Sequence, residues 1–86
     1  MKRSKPKTPA RLTPAFLAKV GQALHGPSWR AALAGDLNVS ERTVRRWADG
    51  TTAIAAGVRF DLIVLCQTRA ADLAGLVKTL EERFVG

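Results

Sequence analysis

Within LAGDLNVSERTVRRWADG, residues 33–50, the side chains able to do chemistry are Ser40, Glu41, Arg42, Thr43, Arg45 and Arg46. What they offer is hydrogen bonding, not bond making. A guanidinium is a planar fork of donors that stays charged and meets two acceptors at once, on a phosphate or on the edge of a guanine. Ser40 and Thr43 add short hydroxyls suited to phosphate oxygens or base edges. Catalysis would need a nucleophile with a base placed beside it, or a glycine-rich phosphate loop. The sequence has neither pattern, so it reads as a non-enzyme without a cofactor. Its single cysteine, Cys66, and single histidine, His25, rule out an internal disulfide and an intrachain zinc site.

These side chains need elements to hold them. Ser40 stands where it can accept the orphan amides of a helix over residues 41–49, and Glu41 suits the positive end of that helix. Asp49-Gly50 ends it. With Val44 and Trp47 turned inward, Glu41, Arg42, Arg45, Arg46 and Asp49 point away, and the three arginines share one face. Upstream, Ser28 can cap a helix over 29–37 whose buried stripe is Trp29, Ala32, Leu33 and Leu37. Asn38 follows, a residue that tolerates the left-handed conformation of a sharp turn, and Val39 plugs that turn.

Thr13-Pro14 is a cap followed by a first-turn proline. It opens a helix over 14–25 with Phe16, Val20, Ala23 and Leu24 on one face, stopped by Gly26-Pro27. TTAIAAG, residues 51–57, reads as a connector anchored by Ile54. From Val58 onward Leu62, Leu65, Cys66, Leu73, Leu76, Val77, Leu80 and Phe84 recur at three and four. They predict a long amphipathic helix with a bend near Arg69–Ala71. No strand alternation or repeat occurs. The fold class is all-α, a small domain of four to five helices with a long C-terminal amphipathic helix. It divides into a flexible basic arm (1–12), a body (13–57) and the C-terminal helix (58–86).

Fourteen Lys and Arg against seven Asp and Glu give a net charge of +7 over 86 residues. The sequence pI is near 10.9. Such a balance points to a polyanion, nucleic acid ahead of an anionic membrane surface. Lys2, Arg3, Lys5, Lys7 and Arg11 crowd the arm with no acid among them, so it is expected to track a phosphate backbone or enter a minor groove. No apolar run is long enough to span a bilayer, and prolines follow the basic start where a signal peptide would carry an apolar stretch. A cytoplasmic protein is expected.

Two short helices crossing steeply at a tight turn impose packing rules. Ala34 is the small residue at the crossing, Asn38 serves the turn, and Leu33, Leu37, Val39, Val44 and Trp47 clamp the second helix onto the first. With these residues in place, LAGDLNVSERTVRRWADG resembles the helix-turn-helix of the Cro and lambda-repressor type, the xenobiotic-response-element family of small phage and bacterial regulators. That family's pattern is LA..LGVS..TV.RW..G; Asn38 stands where glycine is more usual. The resemblance covers roughly residues 28–58. It implies double-stranded DNA binding, with residues 41–49 as the recognition helix. It further implies phosphate contacts from Arg30, and from Thr51 and Thr52 just after that helix.

The remaining residues have plainer roles. Trp29 and Trp47 belong to the core, His25 complements the negative end of its helix, and Cys66 is a small buried hydrophobe. The stripe of Leu62, Leu65, Leu73, Leu76, Leu80 and Phe84 is longer than a three-helix core covers, which marks a homodimer interface. The expected protein is a homodimeric repressor or autorepressor of phage, mobile-element or bacterial origin, acting at an inverted repeat with half-sites about 34–36 Å apart. The alternative is an antitoxin or co-regulator whose C-terminal helix binds a partner protein while the helix-turn-helix targets DNA. A third possibility is RNA binding or a plain scaffold.

Overall fold

The computed structural model describes residues 11–86. The arm expected over 1–12 therefore lies outside the described residues except for Arg11 and Leu12. Leu12 packs half-buried against the core.

The described residues are helical, without strands: α1 (Pro14–His25), α2 (Trp29–Leu37), α3 (Glu41–Asp49) and the long α4 (Val58–Arg83). A one-turn 3-10 segment, Gly26–Ser28, joins α1 to α2, and no fifth α-helix is present among the described residues. Local chemistry fixes the ends. Thr13 Oγ1 accepts the Phe16 amide at 3.1 Å, and Gly26, at φ 81°, stops α1. Asn38 adopts φ 59°, ψ 45°. Its N–H and that of Val39 then turn back onto α2, with Val39 N 3.0 Å from the Ala34 carbonyl, satisfying carbonyls the helix end would leave orphaned. Ser28 does not cap α2; its side chain makes no cap hydrogen bond, because the 3-10 turn carries the chain into the helix.

Leu17, Leu24, Trp29, Leu33, Ala34, Val44, Trp47, Val58 and Leu62 form the core. The buried face of α1 is Leu17, Gly21 and Leu24; of the expected set Leu24 is buried and Val20 half-buried against the core, while Phe16 and Ala23 turn outward. Phe16 is 53% exposed. The cause is Trp29, whose ring fills the notch left by Gly21: a Cβ there would stand 2.2 Å from Trp29 Cε3. Helix α1 must turn its glycine toward the indole, which swings Phe16 out. The second cross-link is polar. Arg69 donates from Nη1 to the Leu24 carbonyl at 2.9 Å, pinning the middle of α4 to the last turn of α1.

Helix α4 runs unbroken for 26 residues through Arg69–Ala71, about 39 Å at 1.5 Å per residue. Only its first half meets the body. Leu62 is buried in the chain's own core and Leu65 packs against it, so both leave the expected dimer stripe. Leu73, Leu76, Val77, Leu80 and Phe84 are each more than half exposed. Cys66, expected to be buried, is exposed. No helix among the described residues is long and apolar enough to cross a membrane.

Candidate nucleic-acid interface

The candidate surface is the outer side of α3. Its inner side is locked by Val44 and Trp47, both in the core. Its start is capped by Ser40 Oγ, which accepts the Thr43 amide at 3.1 Å and lies 3.0 Å from Thr43 Oγ1. Its end is closed by Gly50 at φ 79°, after which Thr51 N–H donates to the Arg46 carbonyl at 2.9 Å. A helix of nine residues, fixed at both ends and along one side, holds its outward side chains in defined directions.

Glu41, Arg42, Arg45, Arg46 and Asp49 line one shallow groove of about 280 Å³. Arg45 Nη2 donates to Glu41 Oε2 at 3.0 Å, both side chains being largely solvated. Arg42 and Arg46 enter no ion pair or side-chain hydrogen bond with the described residues. The arginines thus differ: one fork is held by a carboxylate on its own helix, and two are uncommitted. The hydroxyls of Ser40 and Thr43 are partly engaged with each other, and Ser40 is first of all a structural cap.

Thr51 and Thr52 stand exposed at the end of α3, where Thr51 is folded back onto the helix. Arg30 lies apart from the α3 groove, at the start of α2, with its guanidinium 4.9 Å from the centroid of the Trp29 ring. That stack holds the cation over a side chain that cannot move, since Trp29 is wholly buried. One cation, Arg59, was missed in the sequence, and Arg11 was placed only in the basic arm. Arg11 and Arg59 line a larger hollow of about 730 Å³ together with Thr52 and the 53–57 connector. Arg11 precedes α1 and Arg59 lies in the first turn of α4, and only the fold brings them to one place.

His25 is also placed differently from expectation. Its Nε2 lies 2.6 Å from Asp36 Oδ2, tying the end of α1 to α2 instead of only facing its own helix terminus. No cluster of potential metal ligands occurs among the described residues. No protein family, curated protein or solved structure matches the chain.

Proposed function

We propose that α2, the Asn38–Ser40 turn and α3 form a helix-turn-helix that binds double-stranded DNA sequence-specifically, with α3 in the major groove. The observation that carries this is the division of α3. Three guanidiniums stand outward on a helix whose other side is clamped by Val44 and Trp47 and whose ends are both capped. A rigidly held helix about 10–12 Å in diameter suits a groove about 12 Å wide. The net charge of +7 supplies the phosphate attraction that any such binder needs.

On this reading Arg42 and Arg46 include at least one base reader, while Arg30, Thr51 and Thr52 hold phosphates. The protein acts in the cytoplasm as a homodimeric transcriptional regulator, a repressor or autorepressor that occupies an inverted repeat and performs no catalysis. The exposed stripe Leu73, Leu76, Val77 and Leu80 supports the homodimer. The same stripe favours one second reading, a co-regulator or antitoxin whose α4 holds another protein. Co-purification of a stoichiometric partner from the native host would favour that reading over the stand-alone dimer.

The test is selection of bound duplexes from a random pool, followed by competition monitored by fluorescence anisotropy. A selected site with dyad symmetry, competed at least a hundredfold better by itself than by random duplex, is the expected result. Arg42→Ala or Arg46→Ala should cost about 1–3 kcal/mol on that site and relax preference at one base pair. Equal competition by random duplex or structured RNA would defeat the reading.

A further inference from the structure

The stripe on the projecting half of α4 raises a packing problem that has a definite solution. Leu62 and Arg69 lie on the same side of α4 as Leu73, Leu76 and Leu80, since all fall at three-and-four spacings. At Leu62 that side is filled by the core, and at Arg69 by the end of α1. A second α4 laid parallel along the stripe would bring the two bodies to the same end, each where the other's helix must run. An antiparallel α4 brings only its tapering C-terminal end toward the body.

The body has a place for that end. Between α1 and the first half of α4 lies a hollow of about 280 Å³, lined by Leu12, Phe16, Val20, Leu62, Ile63 and Cys66 together with Arg59 and Gln67. Its apolar side chains include Phe16, which the Gly21–Trp29 contact leaves 53% exposed. Phe84 stands just past the last turn of α4, 61% exposed. Within one chain the two cannot meet, because α4 is a continuous helix from Val58 to Arg83.

Between two chains they can. A two-fold axis midway between Leu73 and Leu76 sets Leu73 of each copy against Leu76 of the other. It also brings Phe84 of one copy level with position 65 of the other, about 1.5 Å along the axis from Cys66 and about 3 Å from Ile63. The area argues the same way. Leu73 to Leu80 spans only about 10 Å of helix, a short contact for a stable dimer. Each Phe84 has roughly 90–150 Å² left to bury, and the hollow a similar amount. Two such plugs add roughly 400–600 Å² toward the 1,200–2,000 Å² of a standard interface.

We propose that the protein dimerises through antiparallel α4 helices in which Phe84 of each copy fills the α1–α4 hollow of the other. This rests on the homodimer reading above and adds the orientation and the occupant of the hollow. The two Cys66 residues then lie about 25 Å apart along the helix axes, whereas a parallel pair would bring them together at one level.

Full-length protein is measured by sedimentation equilibrium, then oxidised with diamide and resolved without reductant. The parent should be a dimer at tens of micromolar and give no covalent dimer, and Phe84→Ala should raise the dimer Kd at least tenfold. Phe84→Cys should cross-link, and should lose the cross-link when combined with Cys66→Ser. A disulfide between the two Cys66 residues of the parent, a cross-link that survives Cys66→Ser, or an unchanged Kd in Phe84→Ala would overturn the proposal while leaving the homodimer standing. A monomeric parent would overturn both, and DNA selection would still decide the α3 reading independently.

Discussion

The contact between Gly21 and Trp29 leaves no room for a side chain at Gly21, and one methyl group tests it. A Cβ built on Gly21 meets Trp29 Cε3 at 2.2 Å, Cδ2 at 2.6 Å and Cζ3 at 3.0 Å. Ordinary contact begins near 3.4 Å, so the indole must withdraw by about 1.2 Å. It has nowhere to go, being 1% exposed in the middle of the core. Overpacking of this kind costs about 1–3 kcal/mol, and a rigid ring on a helix backbone belongs at the upper end. The better helix propensity of alanine returns about 0.5–1 kcal/mol. The net loss for Gly21→Ala should be about 2 kcal/mol out of the roughly 4–13 kcal/mol expected of 86 residues.

The controls carry the same chemical change without the clash. Gly35 and Gly75 are both helical, and an added Cβ meets nothing within 4 Å at either. Gly35→Ala and Gly75→Ala should each stabilise by about 0.5–1 kcal/mol. Urea unfolding followed by circular dichroism should therefore separate Gly21→Ala from the controls by about 3 kcal/mol. In melting temperature, Gly21→Ala should fall about 8–16 °C below the parent. Equal or greater stability of Gly21→Ala than of the parent would refute the packing that sets α1 against α2.

Ser40→Ala removes the acceptor of the Thr43 amide and should cost about 1 kcal/mol in urea unfolding, with weaker binding to every duplex as the first turn of α3 frays. Arg69→Met keeps the aliphatic stem but removes the donor to the Leu24 carbonyl. It should cost about 1.5–3 kcal/mol, with faster amide exchange at the end of α1 and the middle of α4. Deleting residues 1–11 should weaken binding to all duplexes by a similar factor and make the salt dependence shallower, with the selected site unchanged. A shifted consensus would show instead that the segment reads a groove.

The helix ends are legible because they are written in local chemistry. Thr13-Pro14, Asn38, Ser40 and Gly50 each satisfy an orphan backbone group or adopt a conformation that few other residues allow. The buried side of α1 was not legible for the opposite reason. Phe16 competes with Leu17 for the inward face, and the choice is made by Gly21, which has no side chain to enter a hydrophobic pattern. The α4 stripe was readable as a stripe, but periodicity does not say what covers each turn. Leu62 went to the chain's own core while Leu73, about three turns further along the same side, went uncovered. Arg69 and the His25–Asp36 pair were invisible because their partners lie 45 and 11 positions away. On α3, spacing puts three arginines on one face, but only the side-chain geometry shows that one of them already has a carboxylate.

That carboxylate changes what mutation of the outer face should do. Glu41 and Arg45, 3.0 Å apart and largely solvated, contribute only about 0.3–0.5 kcal/mol to the helix. Facing a polyanion, their roles diverge. Arg45 neutralises an acidic group that phosphates would repel, so Arg45→Ala loses a cation and also bares Glu41 toward the DNA. Arg42→Ala and Arg46→Ala bare nothing. If Arg45 does no more than shield Glu41, Arg45→Ala should weaken binding on every duplex, and combining it with Glu41→Ala should restore most of the affinity. If Arg45 leaves Glu41 to fork onto a guanine, the double variant should stay about 1–3 kcal/mol weaker on the selected site alone. The double-mutant cycle, run by anisotropy at two salt concentrations with melting curves as the folding control, separates the two. Full additivity of Glu41→Ala and Arg45→Ala on both selected and random duplexes would refute any shielding of Glu41 by Arg45 in the complex.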